Sequence, residues 1–343
     1  MQHKIEKPGK LLDEFGNITE PGYATSLILD YDRKDIKAGK LRIKEWDYYL
    51  VYNDDYAVAL TIADNSYMGL MSLSLIDFKT ATETTKSIMT ILPNGKTNLP
   101  KTSKEGDVRF ENKKCCFEFL NDGKERKLKC LFKKFRDDKD MTVDFVLTDE
   151  PEDSMVIATP FEKPKYFYYN QKIVGMRAEG RVTLGEEVID FNGDKTGAIL
   201  DWGRGVWTYS NTWYWGAGCG LVDGKKVGFN IGYGFGDTSA ASENMVFYDG
   251  KAHKLDGVTF NIPKDENGKE KFMEDWTFTS TDGRFEMRFT PIIDRSSFTS
   301  AVVIYSDQHQ VFGKFNGTII LDDGKKVELK DYIGFAEKVI NKW

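Results

Sequence analysis

The chain has 343 residues, of which 40% are hydrophobic and 30% charged, a composition typical of globular proteins. Its length favours two domains, and its net charge of −6 argues against a nucleic-acid partner. The first residues lack the apolar stretch of a signal peptide, and no run reaches the ~18 apolar residues of a membrane helix. We therefore expect a soluble, cytoplasmic protein with no membrane span, whose four cysteines are reduced.

Tight-turn signals recur along the whole chain. Asn-Gly and Asp-Gly pairs tolerate the positive φ angles of hairpin turns, and most of them here are flanked by apolar or alternating segments. They predict an all-β protein in which hairpins are the dominant connection. The nine pairs are Asn94-Gly95, Asp122-Gly123, Asn192-Gly193, Asp223-Gly224, Asp249-Gly250, Asn267-Gly268, Asp282-Gly283, Asn316-Gly317 and Asp323-Gly324.

The strands of the first half show alternation of apolar and polar residues, clearest at 55–62 and 141–147. The segment 148–165 follows, and its three prolines and acidic run suit a crossing between sheets better than a central strand. We therefore predict two antiparallel β-barrel-like or curled-sheet domains, at 1–155 and 156–343. A Trp-containing strand followed by a hairpin occurs in both halves, which is as compatible with duplication as with chance.

The second half contains a segment rich in Trp and Gly. In a strand over 211–219, Trp213 and Trp215 share one face. The partner strand over 225–236 presents Asn230 and a row of glycines, and such a row lets a bulky group approach the backbone closely. One interpretation is a ligand in a barrel lumen between the indoles and the glycines, with Asn230 as a polar contact. The other is that the indoles fill the glycine trough as core packing.

Asp201 and Arg204 lie three residues apart in a Gly-flanked turn. An ion pair between them would orient a ligand or stabilise developing charge. The plainer alternative is an ion pair that locks the turn at a barrel mouth.

Further polar candidates follow predicted strands. Glu243 and Asn244 follow the loop after the glycine-rich strand, and Asp64 and Tyr67 hold the analogous place in the first half. A carboxyl group at a barrel mouth acts as a general acid if apolar walls raise its pKa. As an alternative, these residues cap turns.

The C-terminal segment is the one place with helical periodicity. Ile333, Ala336, Ile340 and Trp343 recur at helical spacing, which predicts a short helix packed across a barrel end.

Cofactor and metal signals are missing from the sequence. The three histidines form no His/Cys pattern at metal spacing, so we expect no metal site. No phosphate-binding P-loop or nucleophile elbow is present, and we expect no cofactor.

Several motifs resemble a known family, namely Trp46-Asp47-Tyr48, Asp201-Trp202-Gly203-Arg204-Gly205, Trp213-Tyr214-Trp215 and Glu243-Asn244. The chain is similar to the domain-of-unknown-function family 2804, which looks related to lipocalin-like (calycin) proteins such as carotenoid hydratases, tocopherol cyclase and survival-factor-like lipid proteins. The resemblance implies a double lipocalin-like fold with a cavity for a long apolar molecule, and no particular reaction. The hydratase members place a His two residues before a Trp, where this chain has Trp213 before Trp215.

Three functions remain open. The first is binding of an apolar small molecule, a lipid or an isoprenoid, in a β-barrel cavity. The second is a cofactor-independent hydratase, cyclase or isomerase, with Asp201, Glu243 or Asp64 as the acid and a Trp ring face steadying a carbocation. The third is carbohydrate binding or processing. A raised carboxyl pKa in an enclosed site would favour the enzyme, and exposed Trp faces would favour a sugar. The sequence does not indicate an oligomeric state.

Overall fold

The computed structural model describes residues 2–193, 195–301 and 304–343. Its regular elements are strands, apart from two short 3₁₀ helices at Arg33–Asp35 and Lys40–Arg42. The strands up to Val206 are β1 (Gly9–Lys10), β2 (Gly22–Ala24), β3 (Leu29–Asp30), β4 (Ile43–Tyr52), β5 (Tyr56–Asp64), β6 (Met68–Asp77), β7 (Thr82–Ile91), β8 (Val108–Glu111), β9 (Cys115–Asn121), β10 (Arg126–Arg136), β11 (Lys139–Thr148), β12 (Met155–Pro160), β13 (Phe167–Leu184), β14 (Glu187–Phe191) and β15 (Gly197–Val206). The later strands are β16 (Ser210–Val222), β17 (Lys225–Tyr233), β18 (Met245–Tyr248), β19 (Lys251–Lys254), β20 (Val258–Asn261), β21 (Trp276–Ser280), β22 (Phe285–Ala301), β23 (Ile304–Ile320) and β24 (Lys326–Lys342).

The strands form two curled antiparallel sheets, which confirms the all-β prediction. The first sheet has the order β7-β6-β5-β4-β15-β13-β11-β10-β9-β8, with β2, β12 and β14 attached to it, and β1 pairs with β3 separately. The second has the order β19-β18-β17-β16-β24-β23-β22-β21-β20. Each sheet thus contains a four-strand meander, formed by β4 to β7 in the first sheet and by β16 to β19 in the second. The first strand of each meander also pairs with the strand that comes last along the chain in its sheet, which is β15 or β24. The division between the sheets falls between Val206 and Ser210, so the predicted boundary near residue 155 lies within the first sheet.

Most of the predicted Asn-Gly and Asp-Gly turns are present in the structure, but not all of them. Asp223-Gly224 and Asp249-Gly250 connect paired strands, and all four residues have positive φ angles, as a tight hairpin turn requires. Asn316-Gly317 is instead inside β23, at an irregularity in its pairing with β24. A Cβ atom at residue 317 would lie 2.1 Å from the main-chain oxygen of Glu286, so glycine is needed here for close strand approach.

The predicted C-terminal helix is wrong, because residues 326–342 form strand β24. This strand pairs with β16 on one side and β23 on the other. Both of its faces are buried, since Ala336 contributes to the second sheet's own core and Phe335 to the core between the sheets. Burial on both faces produced apolar spacings that imitate a helical period.

Three apolar cores account for most buried side chains. Each sheet curls over a core of its own, and a third core lies between the two sheets. Alternation along β13 illustrates the arrangement, because Tyr169 and Ile173 enter the first sheet's core whereas Tyr168 and Val174 enter the shared core. The four cysteines are free thiols. In the described ranges, no helix has the length and apolar character needed to cross a membrane.

Candidate functional site

A group of charged and amide side chains is buried in the core between the two sheets. The first sheet contributes Lys172 from β13 and Asp201 from β15, which are register partners. The second sheet contributes Gln310 from β23 and Glu337 from β24, which are also register partners. These four residues are at most 8% exposed. Buried polar groups in an otherwise apolar interface require partners, so their contacts define the site.

Lys172 and Asp201 form a buried ion pair. The Lys172 Nζ lies 2.9 Å from Asp201 Oδ1, and the same oxygen accepts a hydrogen bond of 2.6 Å from Asn170 Nδ2. The Lys172 ammonium also lies 3.7 Å from the centroid of the Trp215 ring. The positive charge is therefore held between a carboxylate of its own sheet and an aromatic face of the opposite sheet.

Glu337 is the second buried carboxyl group. Trp213 Nε1 donates to its Oε1 at 3.0 Å, and Gln310 Nε2 donates to its Oε2 at 2.9 Å. Burial raises the pKa of Glu337 from 4.5 to about 7, against the lowering effects of the Trp213 hydrogen bond and the Lys172 charge. A carboxyl group with this pKa exchanges its proton near neutral pH.

A third carboxyl group, that of Glu243, lies beside the glycine-rich face of β17. Trp215 Nε1 donates to Asn230 Oδ1 at 2.7 Å, and Asn230 Nδ2 donates to the main-chain oxygen of Glu243 at 2.9 Å. A Cβ atom at Gly232 would lie 2.9 Å from Glu243 Oε1, so the glycine makes room for this carboxyl group. Burial raises the pKa of Glu243, and the nearby charge of Lys172 opposes that shift.

Aromatic rings connect Glu337 with the edge of the interface. The half-buried ring of Trp213 lies edge-on to Trp207 at 5.7 Å and to Phe235 at 5.6 Å. The Trp207 Nε1–H is buried without a hydrogen-bond partner, as is Nη1 of Arg295. Both atoms are hydrogen-bond donors without an acceptor, and they lie next to the buried charged and amide side chains. Arg295 is also the register partner of Gln310.

The polar residues of the two sheets occupy equivalent positions. In the first sheet the row across β13, β15 and β4 reads Lys172, Asp201 and Tyr48. In the second sheet the row across β23, β24 and β16 reads Gln310, Glu337 and Trp215. The rows meet face to face, since the Tyr48 and Trp215 rings are 6.0 Å apart. Each sheet thus places one carboxyl group at the equivalent position of its row. The neighbour of Asp201 on the next strand is Lys172, and that of Glu337 is Gln310.

A cavity of about 110 Å³ adjoins this interface. Val174, Cys219 and Gly228 are among its lining residues. Val174 is two residues beyond Lys172 on β13, and Gly228 is two residues before Asn230 on β17. Since residues two apart point to the same face of a strand, the cavity lies one side-chain repeat along from the polar group.

The comparisons with known proteins place the chain in a family. The model for the domain of unknown function DUF2804 matches residues 2–343. The chain belongs to this family. The sequence resemblance to DUF2804 is therefore confirmed. None of the curated protein sequences matches this DUF2804 member.

Several solved structures superpose on this chain at low sequence identity. An AttH-like protein from Nitrosomonas europaea superposes with a TM-score of 0.55 at 13% identity, covering 90% of this chain and 96% of the other. Kievitone hydratase from Nectria haematococca gives a TM-score of 0.45 at 12% identity, covering 88% of each chain. CghA gives 0.40 at 11% identity, covering 97% of each chain. The AttH-like protein supports the two-sheet fold of this DUF2804 member and nothing about its chemistry.

Five of the residues singled out in the sequence come together in the site. They are Asp201, Trp213, Trp215, Asn230 and Glu243. Their surroundings differ from the expected barrel lumen, because the Trp and glycine face of the second sheet points towards the first sheet. The second sheet's own core is filled by the opposite face of β17, including Phe229 and Ile231.

The expected Asp201–Arg204 ion pair is wrong. The two side chains point to opposite faces of β15, since an odd spacing along a strand separates faces. Arg204 is buried in the first sheet's core, where Nη2 donates to Asp47 Oδ1 at 3.0 Å and Nη1 to the main-chain oxygen of Trp46 at 2.7 Å. This arginine lies outside the polar group of the sheet interface.

The remaining candidates have other surroundings. Asp64 accepts hydrogen bonds from the backbone N–H groups of Ser66 and Gly95, which is a turn-capping role. Asn244 accepts from the Gly232 N–H at 2.7 Å and thereby braces β17. Tyr67 has a buried hydroxyl without a hydrogen-bond partner and lies beside Lys44 instead of the carboxyl groups.

Four residues of the site were not among the sequence candidates, namely Lys172, Gln310, Glu337 and Arg295. Lys172 and Glu337 each lie in a long strand, in the runs 167–174 and 332–340, where most of the neighbours are aromatic or apolar. A charged residue in such a run is a signal of pairing in the interior, since isolated buried charges are costly. That signal would have selected Lys172 and Glu337.

Proposed function

We propose that this DUF2804 member is a cofactor-independent enzyme, a hydratase, cyclase or isomerase, that binds an apolar small molecule between its two sheets. Glu337 is the group that donates and accepts the proton. The observation that carries the proposal is a buried carboxyl group with a pKa of about 7, hydrogen-bonded by Trp213 and Gln310. General acid–base catalysis is most effective when the pKa lies near the working pH.

The neighbouring groups suit a reaction that develops positive charge. The Trp213 indole donates to Glu337, and its ring lies within the aromatic group formed with Trp207 and Phe235. An aromatic face stabilises a cation, as the Lys172 ammonium over Trp215 illustrates. A substrate protonated by Glu337 would therefore carry its cation next to aromatic rings, with Glu243 available as a second carboxyl group.

The other two functions account for fewer of these contacts. An apolar carrier needs no ion pair and no carboxyl group with a raised pKa in its binding site. A sugar-binding surface needs exposed aromatic faces, whereas Trp215 is 6% exposed and Trp213 is half-buried. A drug-sized ligand occupies about 300 Å³ or more. Binding therefore requires the cavity of about 110 Å³ beside Val174 to widen towards the polar group.

The test is substrate trapping with the Glu337→Gln variant. This substitution keeps the side-chain volume but removes the titratable proton. Wild-type and variant proteins are purified from their own cells, their bound compounds are identified by native mass spectrometry, and each compound is returned to the wild type in H₂¹⁸O and in D₂O. We expect the variant to retain a compound that the wild type converts. A hydratase incorporates ¹⁸O, and an isomerase or cyclase incorporates deuterium at carbon.

Asp64→Asn is the matched control, because Asp64 caps a turn of the first sheet. We expect this variant to retain no substrate and to convert the trapped compound. If the wild type releases every bound compound unchanged, with neither ¹⁸O nor deuterium incorporated, the protein is a carrier and the proposal fails. It also fails if neither protein takes up a compound from a lipid extract of the same cells.

A further inference from the structure

Lys44 is a buried lysine whose amine has no hydrogen-bond partner among the residues that the structure describes. It lies on β4, on the same face as Trp46 and Tyr48, and its side chain is fully buried. Its Nζ lies 4.1 Å from the centroid of the Tyr67 ring and 5.6 Å from that of Trp343. The Tyr67 hydroxyl is also buried without a partner. An unused amine thus lies over the face of an aromatic ring whose own hydroxyl is also unused.

The surroundings of Lys44 favour a neutral amine. Burial lowers the pKa of Lys44 from 10.5 to about 6; the Arg42 charge adds to this shift and the Asp64 charge opposes it. The Asp64 oxygens are already used by backbone N–H groups and by Thr97. Burial raises the pKa of Tyr67 to about 12, so its hydroxyl remains a proton donor at neutral pH.

Two other lysines provide a contrast within the same chain. Lys172 is paired with Asp201. Lys254 resembles Lys44 in that burial lowers its pKa, in this case to about 7. Its amine, however, donates to Ser242 Oγ and to the main-chain oxygens of Asn244 and Leu255. A lone pair free to attack an electrophile is therefore expected at Lys44 and not at Lys254.

We propose that Lys44 is an imine-forming nucleophile for an aldehyde or ketone that carries an aromatic or apolar substituent. The Nζ lone pair attacks the carbonyl carbon and forms the C–N bond as the carbonyl π bond breaks. The carbonyl oxygen takes a proton from the Tyr67 hydroxyl, which regains one from Nζ, and a carbinolamine results. Loss of water then gives the imine, so the carbonyl oxygen leaves as water and no oxidant is consumed. The Tyr67 hydroxyl is the donor to that oxygen, and the rings of Tyr67 and Trp343 enclose the substituent. This site uses none of the groups assigned to proton transfer above.

The experiment is reductive trapping with cinnamaldehyde and sodium cyanoborohydride on the intact protein, followed by peptide mapping. The hydride reduces the imine to a stable secondary amine. We expect labelling at Lys44 to exceed that at Lys254 and at exposed Lys195 by more than about tenfold near neutral pH, because the Lys254 amine is held by hydrogen bonds and the Lys195 amine is protonated. Above neutral pH the ratio of Lys44 to Lys195 labelling should fall by about tenfold per pH unit, since the free-amine fraction increases only at Lys195.

Two variants separate reactivity from access. Trp343→Ala opens one side of the site and should accelerate labelling of Lys44, whereas Lys254→Arg should leave it unchanged. Tyr67→Phe keeps the ring and removes the hydroxyl, so labelling should be slower. If Lys44 remains unlabelled in both the wild type and Trp343→Ala while exposed lysines react, the proposal is overturned. Equal labelling of Lys44 and Lys254 also overturns it.

Discussion

Replacing Lys172 by Met removes the buried ammonium that lies between the Asp201 carboxylate and the Trp215 ring. Asp201 then keeps only its hydrogen bond from Asn170. Removing one partner of a buried ion pair costs about 3–5 kcal/mol, because an uncompensated charge remains in the interior. Since domains are stable by only about 5–15 kcal/mol, Lys172→Met should be severely destabilising.

The double variant Lys172→Met, Asp201→Asn tests whether the loss comes from the unpaired charge. It contains neither charge, the amide oxygen introduced at position 201 still accepts from Asn170, and the Met thioether packs over the Trp215 ring. We expect the double variant to be more stable than either single variant. The coupling energy between the two positions should be at least about 2 kcal/mol.

Urea unfolding followed by tryptophan fluorescence measures all three variants, and the free energies follow from linear extrapolation. Lys195→Met is the matched control, because Lys195 pairs with Asp54 at the surface and both side chains are more than half exposed. Its urea midpoint should equal that of the wild type. A loss below about 1 kcal/mol in Lys172→Met, or additive losses in the double variant, would refute the reasoning.

Glu337 and Gly203 give two further predictions. Because the pKa of Glu337 is raised from 4.5 to about 7, its contribution to the unfolding free energy is complete below pH 4.5 and is lost as the pH rises through 7. The difference between wild type and Glu337→Gln should therefore fall by about 3 kcal/mol over that range, and Gln310→Lys should move the change to lower pH; a flat difference curve would contradict this. In Gly203→Ala the new Cβ would lie 1.9 Å from Cζ2 of Trp46, which should cost about 1–3 kcal/mol in urea unfolding. Gly39→Ala has open space around it and should cost far less; equal costs would refute the packing argument.

The sequence predicts the kind of fold well because its turn chemistry is local. The Asp223-Gly224 and Asp249-Gly250 pairs carry the information for their hairpins in two residues each. Alternation also shows that Trp213 and Trp215 share a face. It does not show what covers that face, because contact between sheets depends on residues far apart in the sequence. The sequence therefore predicts a barrel lumen around Trp213 and Trp215, whereas both residues lie in the core between the sheets.

Lys172 and Glu337 were missed for a related reason. Each is a single charged residue whose partners lie on other strands, 29 residues away for Asp201 and 27 for Gln310. Pairing of this kind depends on strand order, which local patterns do not contain. Arg204 was misassigned because a turn was expected where β15 continues, and an extended strand sends Asp201 and Arg204 to opposite faces.

The matching polar rows of the two sheets give this fold the properties of a dimer contained in one chain. In an isologous homodimer, equivalent positions must hold the same residue, so equivalent carboxyl groups have equal surroundings in both subunits. Covalent linkage removes that constraint, and here lysine and glutamine stand at equivalent places beside Asp201 and Glu337. The symmetric strand order is combined with different side chains at all three equivalent positions, so the two acids have different surroundings. A single chain thus gives its two equivalent carboxyl groups different neighbours, which no symmetric assembly of identical subunits provides.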